Sequence, residues 1–441
     1  MWLVVERRTR TCVCRLRDTT AVGCFSTCVL NCDREDQPTV QNNSLKTDEN
    51  SSYYRLIRTA STLWEECGYA AMSARQISVL ADSPVSSIYH HFGSLEQLFA
   101  MSQKACQDQT SQWCNAQLEQ VSSLYPEIEG FAEFFAHIVD EWTQERRPLA
   151  FAWRECELLA VRNPQFAEQA RLWRVIWRDF WQQAGEIFGL GGNAFIAERL
   201  FDSESLLHLI RSRRVVDRAS LSETARGIAC WLAGKPAPDG PWRTKAHAQA
   251  LRTSSQTIAR DEAITQIMHA AAELVSEHGV VGVTHRAVAD RAGLTLGAVS
   301  HRFRTKSALL DAAFEGLYAA VASSVIPPPR PDAIPTIESI ADDIVATQHG
   351  LKISGGDDLF LATARDAALS ELGAQLRYLR GRSSRAALQA VLGPHRPVSL
   401  VEGSLFSGFI QAQLRRHGQI EEHGERSVHD ELRALVAALS A

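Results

Sequence analysis

Apolar residues recur at steps of three and four along most of this chain, which is the spacing of amphipathic helices. The first such stretch carries Tyr54, Ile57, Ala60 and Trp64 and ends at Gly68. Long stretches farther along show the same spacing, and few segments alternate at every second residue as strands do. The pattern therefore predicts an all-α protein.

An internal repeat organises the chain. The segment Gly68–Arg75 matches Gly279–Arg286 at an offset of 211 residues, and flanking apolar and polar positions match at the same offset. A weaker match extends this register to Arg154-Glu155 opposite Arg365-Asp366. Each repeated unit spans about 180 residues, so the chain holds two similar halves.

Each half opens with three predicted helices. In the first half, Ser73 is placed to cap a second helix over 74–80, whose Ile77 and Leu80 face inward. A turn then leads to a third helix over 85–91. This succession of helix, tight turn and short helix is typical of a helix-turn-helix.

The second half repeats this scheme. Its first helix is predicted over 263–278, Thr284 caps the second helix, and 293–295 forms the turn. The third helix follows over 296–303.

The outer face of each third helix is the side that a helix-turn-helix presents to the major groove. In the first half we expect DNA contacts from Ser73, Arg75, Val85, Ser86, Ser87, Tyr89 and His90. In the second half we expect them from Thr284, Arg286, Thr295, Leu296, Gly297, Ala298, Ser300, His301, Arg302, Arg304 and Lys306.

Two long segments carry a family resemblance. ADSPVSSIYHHFGSLEQL at residues 81–98 and AGLTLGAVSHRFRTKSAL at residues 292–309 both resemble the DNA-binding domain of the tetracycline-repressor (TetR) family. The resemblance implies an all-helical protein whose first three helices bind DNA and whose C-terminal domain binds a small ligand. It also implies dimerisation through a four-helix bundle built from the last two helices of each subunit.

Neither copy of the motif is complete. The lysine that the family often has early in the third helix is replaced in both copies, by Val85 and Leu296. The aromatic residue that contacts phosphate is kept as Tyr89 but becomes Ser300 in the second copy. The lysine that opens the fourth helix is present only in the second copy, as Lys306.

Charge separates the two copies more clearly. The net charge of −5 argues against a protein that coats nucleic acid through bulk charge. Locally, Ser73–Leu95 holds one cation and one carboxylate, whereas Thr284–Lys306 holds five cations and one carboxylate. Because phosphate attraction grows with the number of cations, we expect the second copy to dominate binding to double-stranded DNA. The operator should then be an imperfect palindrome.

The regulatory part of the first half is rich in tryptophan. Trp173, Trp177 and Trp181 recur at four-residue steps, and Trp153 and Arg154 precede them. One interpretation is that these residues line a pocket for an apolar or aromatic effector. The other is that a stripe at this spacing is core or dimer seam. The second half has no tryptophan, so any two pockets should bind different ligands.

These patterns divide the chain into six segments. We expect a disordered extension at 1–50, a first helix-turn-helix domain at 51–100, a helical regulatory domain at 101–234, a linker at 235–258, a second helix-turn-helix domain at 259–311 and a second regulatory domain at 312–441. The last two helices are predicted at about 163–188 and 193–213, with counterparts at about 371–392 and 399–417. Because both halves of a family dimer lie in one chain, we expect an intrachain pseudo-dimer, and a homodimer with four heads is the alternative.

Several other classes are disfavoured. Five cysteines (Cys12, Cys14, Cys24, Cys28 and Cys32) crowd the N-terminal segment without a paired zinc-ligand spacing, so we expect no metal, no cofactor and a reducing cytoplasm. No stretch is apolar enough for a membrane span, and no nucleotide-binding loop or catalytic motif indicates an enzyme. The remaining alternative is a helical ligand-binding or protein-interaction module in which one or both helix-turn-helix units no longer bind DNA.

Overall fold

Two short strands lie near the N-terminus. In the computed structural model, β1 (Trp2–Arg7) pairs antiparallel with β2 (Arg10–Arg15). Both belong to a small unit, Met1–Asp48, that is separate from the remainder of the chain. The disordered extension predicted there therefore contains a hairpin, and Cys24, Cys28 and Cys32 lie outside the described residues. The structure describes residues 2–7, 10–15, 51–124, 126–253, 261–325, 335–346, 350–417 and 426–440.

The second unit, Glu49–Ala441, is helical throughout its described residues, which confirms the predicted fold class. The first half contains α1 (Ser52–Glu66), α2 (Ala74–Leu80), α3 (Val85–Phe92), α4 (Leu95–Ser122), α5 (Phe131–Gln144), α6 (Arg147–Arg162), α7 (Ala167–Ile187), α8 (Ala194–Leu209) and α9 (Arg214–Leu232). A linking helix, α10 (Pro241–Thr253), follows. The second half contains α11 (Glu262–Gly282), α12 (His285–Ala292), α13 (Leu296–Arg302), α14 (Lys306–Val325), α15 (Ile337–Ala346), α16 (Gly350–Arg365), α17 (Ser370–Tyr378), α18 (Arg382–Leu392), α19 (Leu400–His417) and α20 (Val428–Ser440). Short 3₁₀ turns lie at Tyr69–Ala71, Ile128–Gly130, Pro164–Phe166, Gly191–Asn193 and Ala367–Leu369. Within these described ranges, no helix is both long and apolar enough to cross a membrane.

The register between the halves changes after the three-helix domain that opens each half. The Asn163 side chain accepts a hydrogen bond from the Gln165 N–H (3.1 Å), and Asp366 accepts one from the Ala368 N–H (2.9 Å), each just after α6 or α16. Asn163 and Asp366 are therefore equivalent, at an offset of 203 rather than 211 residues. The predicted match of Arg154-Glu155 with Arg365-Asp366 is wrong. Between its head and this cap, the second half has eight fewer residues than the first half.

A break in one helix distinguishes the two halves. The long α7 of the first half corresponds to two helices, α17 and α18, in the second. The chain turns between them at Gly381, whose φ of +88° is a conformation that side-chain-bearing residues rarely adopt. A Cβ at Gly381 would also lie 2.5 Å from the backbone of Gly403, so α19 could not approach as closely.

The last two helices of each half are α8 with α9 and α19 with α20. The predicted ranges stopped one helix too early in both halves and omitted α9 and α20. Leu221, Ala225, Ile228 and Trp231 are buried along α9 at steps of three and four, so the signal was present in the sequence.

These final helices also bring the two halves together. Helix α8 packs against α19, and α9 packs against α19 and α20. Arg199 of α8 forms a two-pronged ion pair with Glu431 of α20, with both N–O distances at 3.0 Å. The Trp231 indole N–H of α9 donates to Glu402 of α19 (3.1 Å). Helices from both halves thus share one interface within a single chain.

The linker is more ordered than its sequence suggested. Residues 235–258 were predicted to be a linker, whereas the structure has a helix of 13 residues, α10, within them. The Glu223 carboxylate accepts hydrogen bonds from the Trp242 and Arg243 N–H groups (2.8 Å each) and so caps the helix. Arg243 and Ala250 are buried on the packed face, because α10 lies against α9 and α17.

Candidate nucleic-acid interface

The first three helices of the first half form a small packed domain, here called head 1. Ile77 and Ile88 are fully buried at its centre. Ser73 caps α2 as predicted, since its hydroxyl oxygen accepts a hydrogen bond from the Gln76 N–H (3.2 Å). The inward placement of Leu80 is wrong: its side chain is 57% exposed, because α2 ends there and the chain turns away.

The turn and the third helix of head 1 are held from α1. The Arg55 guanidinium donates to the carbonyl oxygens of Ala81 and Asp82, both at 3.0 Å. Tyr53 stacks on Phe92 with ring centres 4.9 Å apart. These contacts fix the orientation of α3 on the domain.

The predicted DNA-facing residues of head 1 lie on its surface. Val85, Ser86, Tyr89 and His90 are exposed along α3, and Ser87 is half-buried. Ser73 and Arg75 are exposed at the start of α2. The cap leaves the Ser73 hydroxyl proton free to donate to a phosphate.

The equivalent domain of the second half, head 2, is built in the same way. Thr284 caps α12 by accepting a hydrogen bond from the Ala287 N–H (3.1 Å), and Thr295 caps α13 through the Ala298 N–H (3.2 Å). Val299 is fully buried beneath the helix. The exposed predicted residues are Thr284, Arg286, Thr295, Leu296, Gly297, His301, Arg302, Arg304 and Lys306, whereas Ala298 and Ser300 are half-buried.

Two of the five cations of head 2 already have partners on α11. Arg291 pairs with Glu277 (2.7 Å) and Glu273 (3.2 Å). Arg302 pairs with Asp261 (2.9 Å), and its hydrogen bond lowers the pKa of the Asp261 carboxyl. The sequence count of five cations against one carboxylate therefore overstates the charge that head 2 presents to DNA.

Three cations of head 2 remain on its surface without a carboxylate partner among the residues that the structure describes. They are Arg286 on α12, Arg304 after α13 and Lys306 at the first position of α14. The Thr305 hydroxyl caps α14 through the Ala308 N–H (3.1 Å) and places Lys306 at the positive end of the helix dipole. The charge advantage of head 2 is concentrated at these three side chains.

Each head is joined to the helices that follow it by a carboxylate. Glu155 of α6 accepts a hydrogen bond from the Tyr69 N–H (3.2 Å), just after α1 ends. The preceding Gly68 has φ +69°, and a Cβ there would lie 2.4 Å from the Glu155 carboxylate. Glu155 also pairs with Arg365 of α16 in the other half (2.5 Å). Arg365 further donates to the Trp64 carbonyl oxygen at the end of α1 (2.7 Å).

Head 2 has the corresponding arrangement. Asp358 of α16 accepts a hydrogen bond from the Val280 N–H (2.9 Å) and lies against Gly279, whose φ is +68°. Arg162 of α6, in the first half, approaches Asp358 at 3.8 Å. Each head is therefore attached to its own half through a carboxylate. An arginine of the other half donates to head 1 directly, whereas at head 2 the arginine approaches only the carboxylate.

This pair of attachments was not predicted from the sequence. The repeated Gly68 and Gly279 were visible, but their carboxylate partners lie about 80 residues away and follow the shifted register of the second half. Recognising Asn163 and Asp366 as equivalent helix-end caps would have revealed the pairing.

The tryptophans of the first half form an aromatic cluster. Trp177 contacts Trp153 (ring centres 5.1 Å apart) and Phe201 (4.4 Å), and Trp181 contacts Phe201 (5.3 Å). The Trp173 indole N–H donates to Gln103 (2.9 Å). Much of the predicted pocket is therefore filled by its own rings.

A cavity of about 50 Å³ remains at the edge of this cluster. Three aromatic residues of the first half line it, Trp153, Trp177 and Phe201, and Ala412 lines it from the second half. Its other lining residues are charged: Glu157, Arg174, Arg178, Glu198, Arg199, Asp202, Arg415 and Arg416. Of the other predicted pocket residues, Trp173, Trp181 and Arg154 are buried but do not line this cavity. The indole N–H groups of Trp142, Trp177 and Trp181 are buried without a hydrogen-bond partner in the described part of the chain.

Sequence comparison places a known domain on both heads. The family model described as bacterial regulatory proteins, tetR family, matches residues 56–101 and 267–313. The first match runs from α1 into α4, and the second runs from α11 into α14. No curated protein sequence matches the chain.

Proposed function

The chain is a TetR-family DNA-binding regulator with two helix-turn-helix domains in tandem, and on this premise we propose that it is a repressor released from its operator by a small molecule. The repressor acts as one chain, with its two heads paired as an intrachain pseudo-dimer. It is a regulator rather than an enzyme. Its operator is an imperfect palindrome with one stringent half-site, because head 2 carries more unpaired cations than head 1.

The attachment of each head to both halves supports this proposal most strongly. Glu155 and Asp358 hold the ends of α1 and α11, while Arg365 and Arg162 reach the same carboxylates from the opposite half. A shift of α6 or α16 would therefore move both heads. Ligand binding and DNA binding would then be coupled by equal factors in both directions.

A mobility-shift titration tests the DNA-binding step. The full chain is titrated onto the DNA upstream of its own coding sequence and onto duplexes selected from a random pool. We expect a discrete complex whose affinity falls steeply with salt. If the folded chain selects no duplex above background, the proposal is contradicted.

A second candidate function is a ligand-binding or interaction module without DNA affinity. The charge distribution favours this function, because Ser73–Leu95 of head 1 has no net charge and two arginines of head 2 pair with carboxylates of the same head. Such a module would fail the selection above and would still bind the effector.

The effector is expected to bind beside Trp177, between the two halves. An apolar or aromatic molecule in the cavity would contact the buried rings that line it, and an acceptor atom on the molecule would satisfy the Trp177 indole N–H. Any compound that releases DNA should therefore change the tryptophan fluorescence. Trp177→Phe should remove that change, whereas Trp242→Phe, at a surface tryptophan of α10, should preserve it. A releasing compound to which the fluorescence never responds would count against this location.

A further inference from the structure

A second and larger cavity lies where the linking helix meets the second half. Its volume is about 200 Å³. Arg243 and His247 line it from α10, and Arg380, Arg382 and Arg385 line it from the break between α17 and α18. No acidic residue lines it within the described part of the chain. The cavity therefore concentrates positive charge.

Carboxylates behind the wall neutralise only part of this charge. Arg380 pairs with Glu204 (3.2 Å), and Arg382 approaches Glu315 (3.6 Å). Near the cavity, Asp239 accepts a hydrogen bond from the Leu400 N–H at the start of α19 (2.7 Å).

The other two arginines of the wall are held by neutral oxygens. Arg243 donates to the Ser404 hydroxyl and to the Arg377 carbonyl oxygen (3.4 Å). Arg385 donates to the Val398 carbonyl oxygen (2.7 Å). Neutral oxygens do not balance the charge of these two guanidinium groups, and the charge of Arg243 is attracted only from farther away, by Glu204 and Glu223.

One hydrogen-bond donor of the cavity wall, on Arg380, has no acceptor among the described residues. The donor is the Nε–H, and the Arg380 side chain is 2% exposed. Burial and the charge of Arg243 together lower the pKa of Arg380 to about 10, against the attraction of Glu204. An anion in the cavity would offset both effects.

The backbone adds a further attraction for anions. Helix α18 starts at Arg382, and Gly381, which lines the cavity, precedes it without a side chain to cap the helix. The positive end of this helix dipole therefore lies at the cavity wall.

We propose that this cavity binds a small dianion whose charged group is a phosphate ester. Guanidinium groups bind phosphate oxygens through paired hydrogen bonds, and four of them converge here. The site belongs to the fused chain, because α10 joins the repeats and has no counterpart within either one. It is separate from the tryptophan-lined cavity, and its existence does not depend on the repressor proposal.

Isothermal titration calorimetry of the full chain at low salt tests this proposal. The probes are inorganic phosphate, glycerol 3-phosphate and succinate. We expect a phosphate compound to bind with a stoichiometry of one molecule per chain and a dissociation constant in the submillimolar range. Succinate should bind more weakly. If neither phosphate compound binds at millimolar concentration, the proposal is overturned. Tighter binding of succinate would overturn the assignment to phosphate.

Variants locate the site. Arg382→Gln with Arg385→Gln should weaken phosphate binding at least about tenfold, because two phosphate-binding groups are lost. Arg385→Gln alone, at an exposed side chain, should cause a smaller loss and serves if the double variant does not fold. Lys245→Gln with Arg252→Gln removes two exposed cations of α10 away from the cavity and should leave binding unchanged. Unchanged binding in the Arg385→Gln protein, or equal losses in the α10 control, would contradict the location.

Discussion

Replacing Arg304 and Lys306 with alanine is expected to weaken DNA binding by about two orders of magnitude and to lower its salt dependence by about two units of slope. Both side chains are exposed at the end of α13 and the start of α14, without carboxylate partners in the described residues. Each cation that leaves a phosphate contact removes about 0.9 of a unit from the slope. Titrations of the selected duplex at several salt concentrations measure both quantities.

Two matched variants test the assignment of the dominant head. Tyr89→Ala with His90→Ala, at the equivalent surface of head 1, should cost clearly less affinity. Arg302→Ala should change the slope less than Arg304→Ala, because Asp261 already neutralises Arg302 in the free protein. If the Tyr89/His90 variant folds but loses more DNA affinity than the Arg304/Lys306 variant, head 1 dominates DNA binding.

Replacing Asp202 with alanine is expected to destabilise the fold by about 3–5 kcal/mol. Asp202 of α8 accepts hydrogen bonds from Arg154 in its own half (2.6 Å) and from Arg415 in the other half (2.9 Å). Those arginine side chains are 2% and 8% exposed. Arg154 would keep only Glu157 (2.7 Å) and Arg415 only Asp357 (3.4 Å), so the substitution would leave their buried charge less compensated. Urea unfolding followed by circular dichroism measures the change in the free energy of unfolding.

An exposed ion pair provides the control. Asp108 pairs with Lys104 at 3.7 Å, and both side chains are more than 60% exposed. Asp108→Ala should therefore change the free energy of unfolding by less than about 1 kcal/mol. Equal effects of the two substitutions would show that the Asp202 cluster does not stabilise the contact between the halves.

The Asp202 carboxylate also makes the stability of the fold depend on pH. Burial acts to raise the pKa of Asp202, but Arg415 and Arg154 outweigh it and hold the value at about 2, below the ordinary value of 3.8. The stabilising contribution of Asp202 is therefore complete above about pH 4 and is lost as the pH falls towards 2. Asp202→Asn should flatten this part of the stability profile.

Local patterns in the sequence were sufficient to predict the DNA-binding heads. Ser73, Thr284 and Thr295 cap their helices through contacts three residues away, so spacing alone identified them. Leu80 was placed wrongly because periodicity does not show where a short helix turns away from its neighbours.

Features that depend on distant contacts could not be predicted. The carboxylates Glu155 and Asp358 meet their heads only after the chain has folded back over α4 or α14. The order of α10 depends on Glu223, which belongs to α9. Counting charges along head 2 likewise missed Asp261 and Glu277, because α11 brings them to the arginines from outside the counted segment.

The mass of the protein–DNA complex tests the intrachain pseudo-dimer most directly. Native mass spectrometry of the full chain on its selected duplex, across a range of protein concentrations, gives the number of chains bound. We predict one chain of 48.8 kDa per duplex, with both half-sites protected. A complex that always contains two chains, on a duplex with four half-sites, would contradict the intrachain pseudo-dimer.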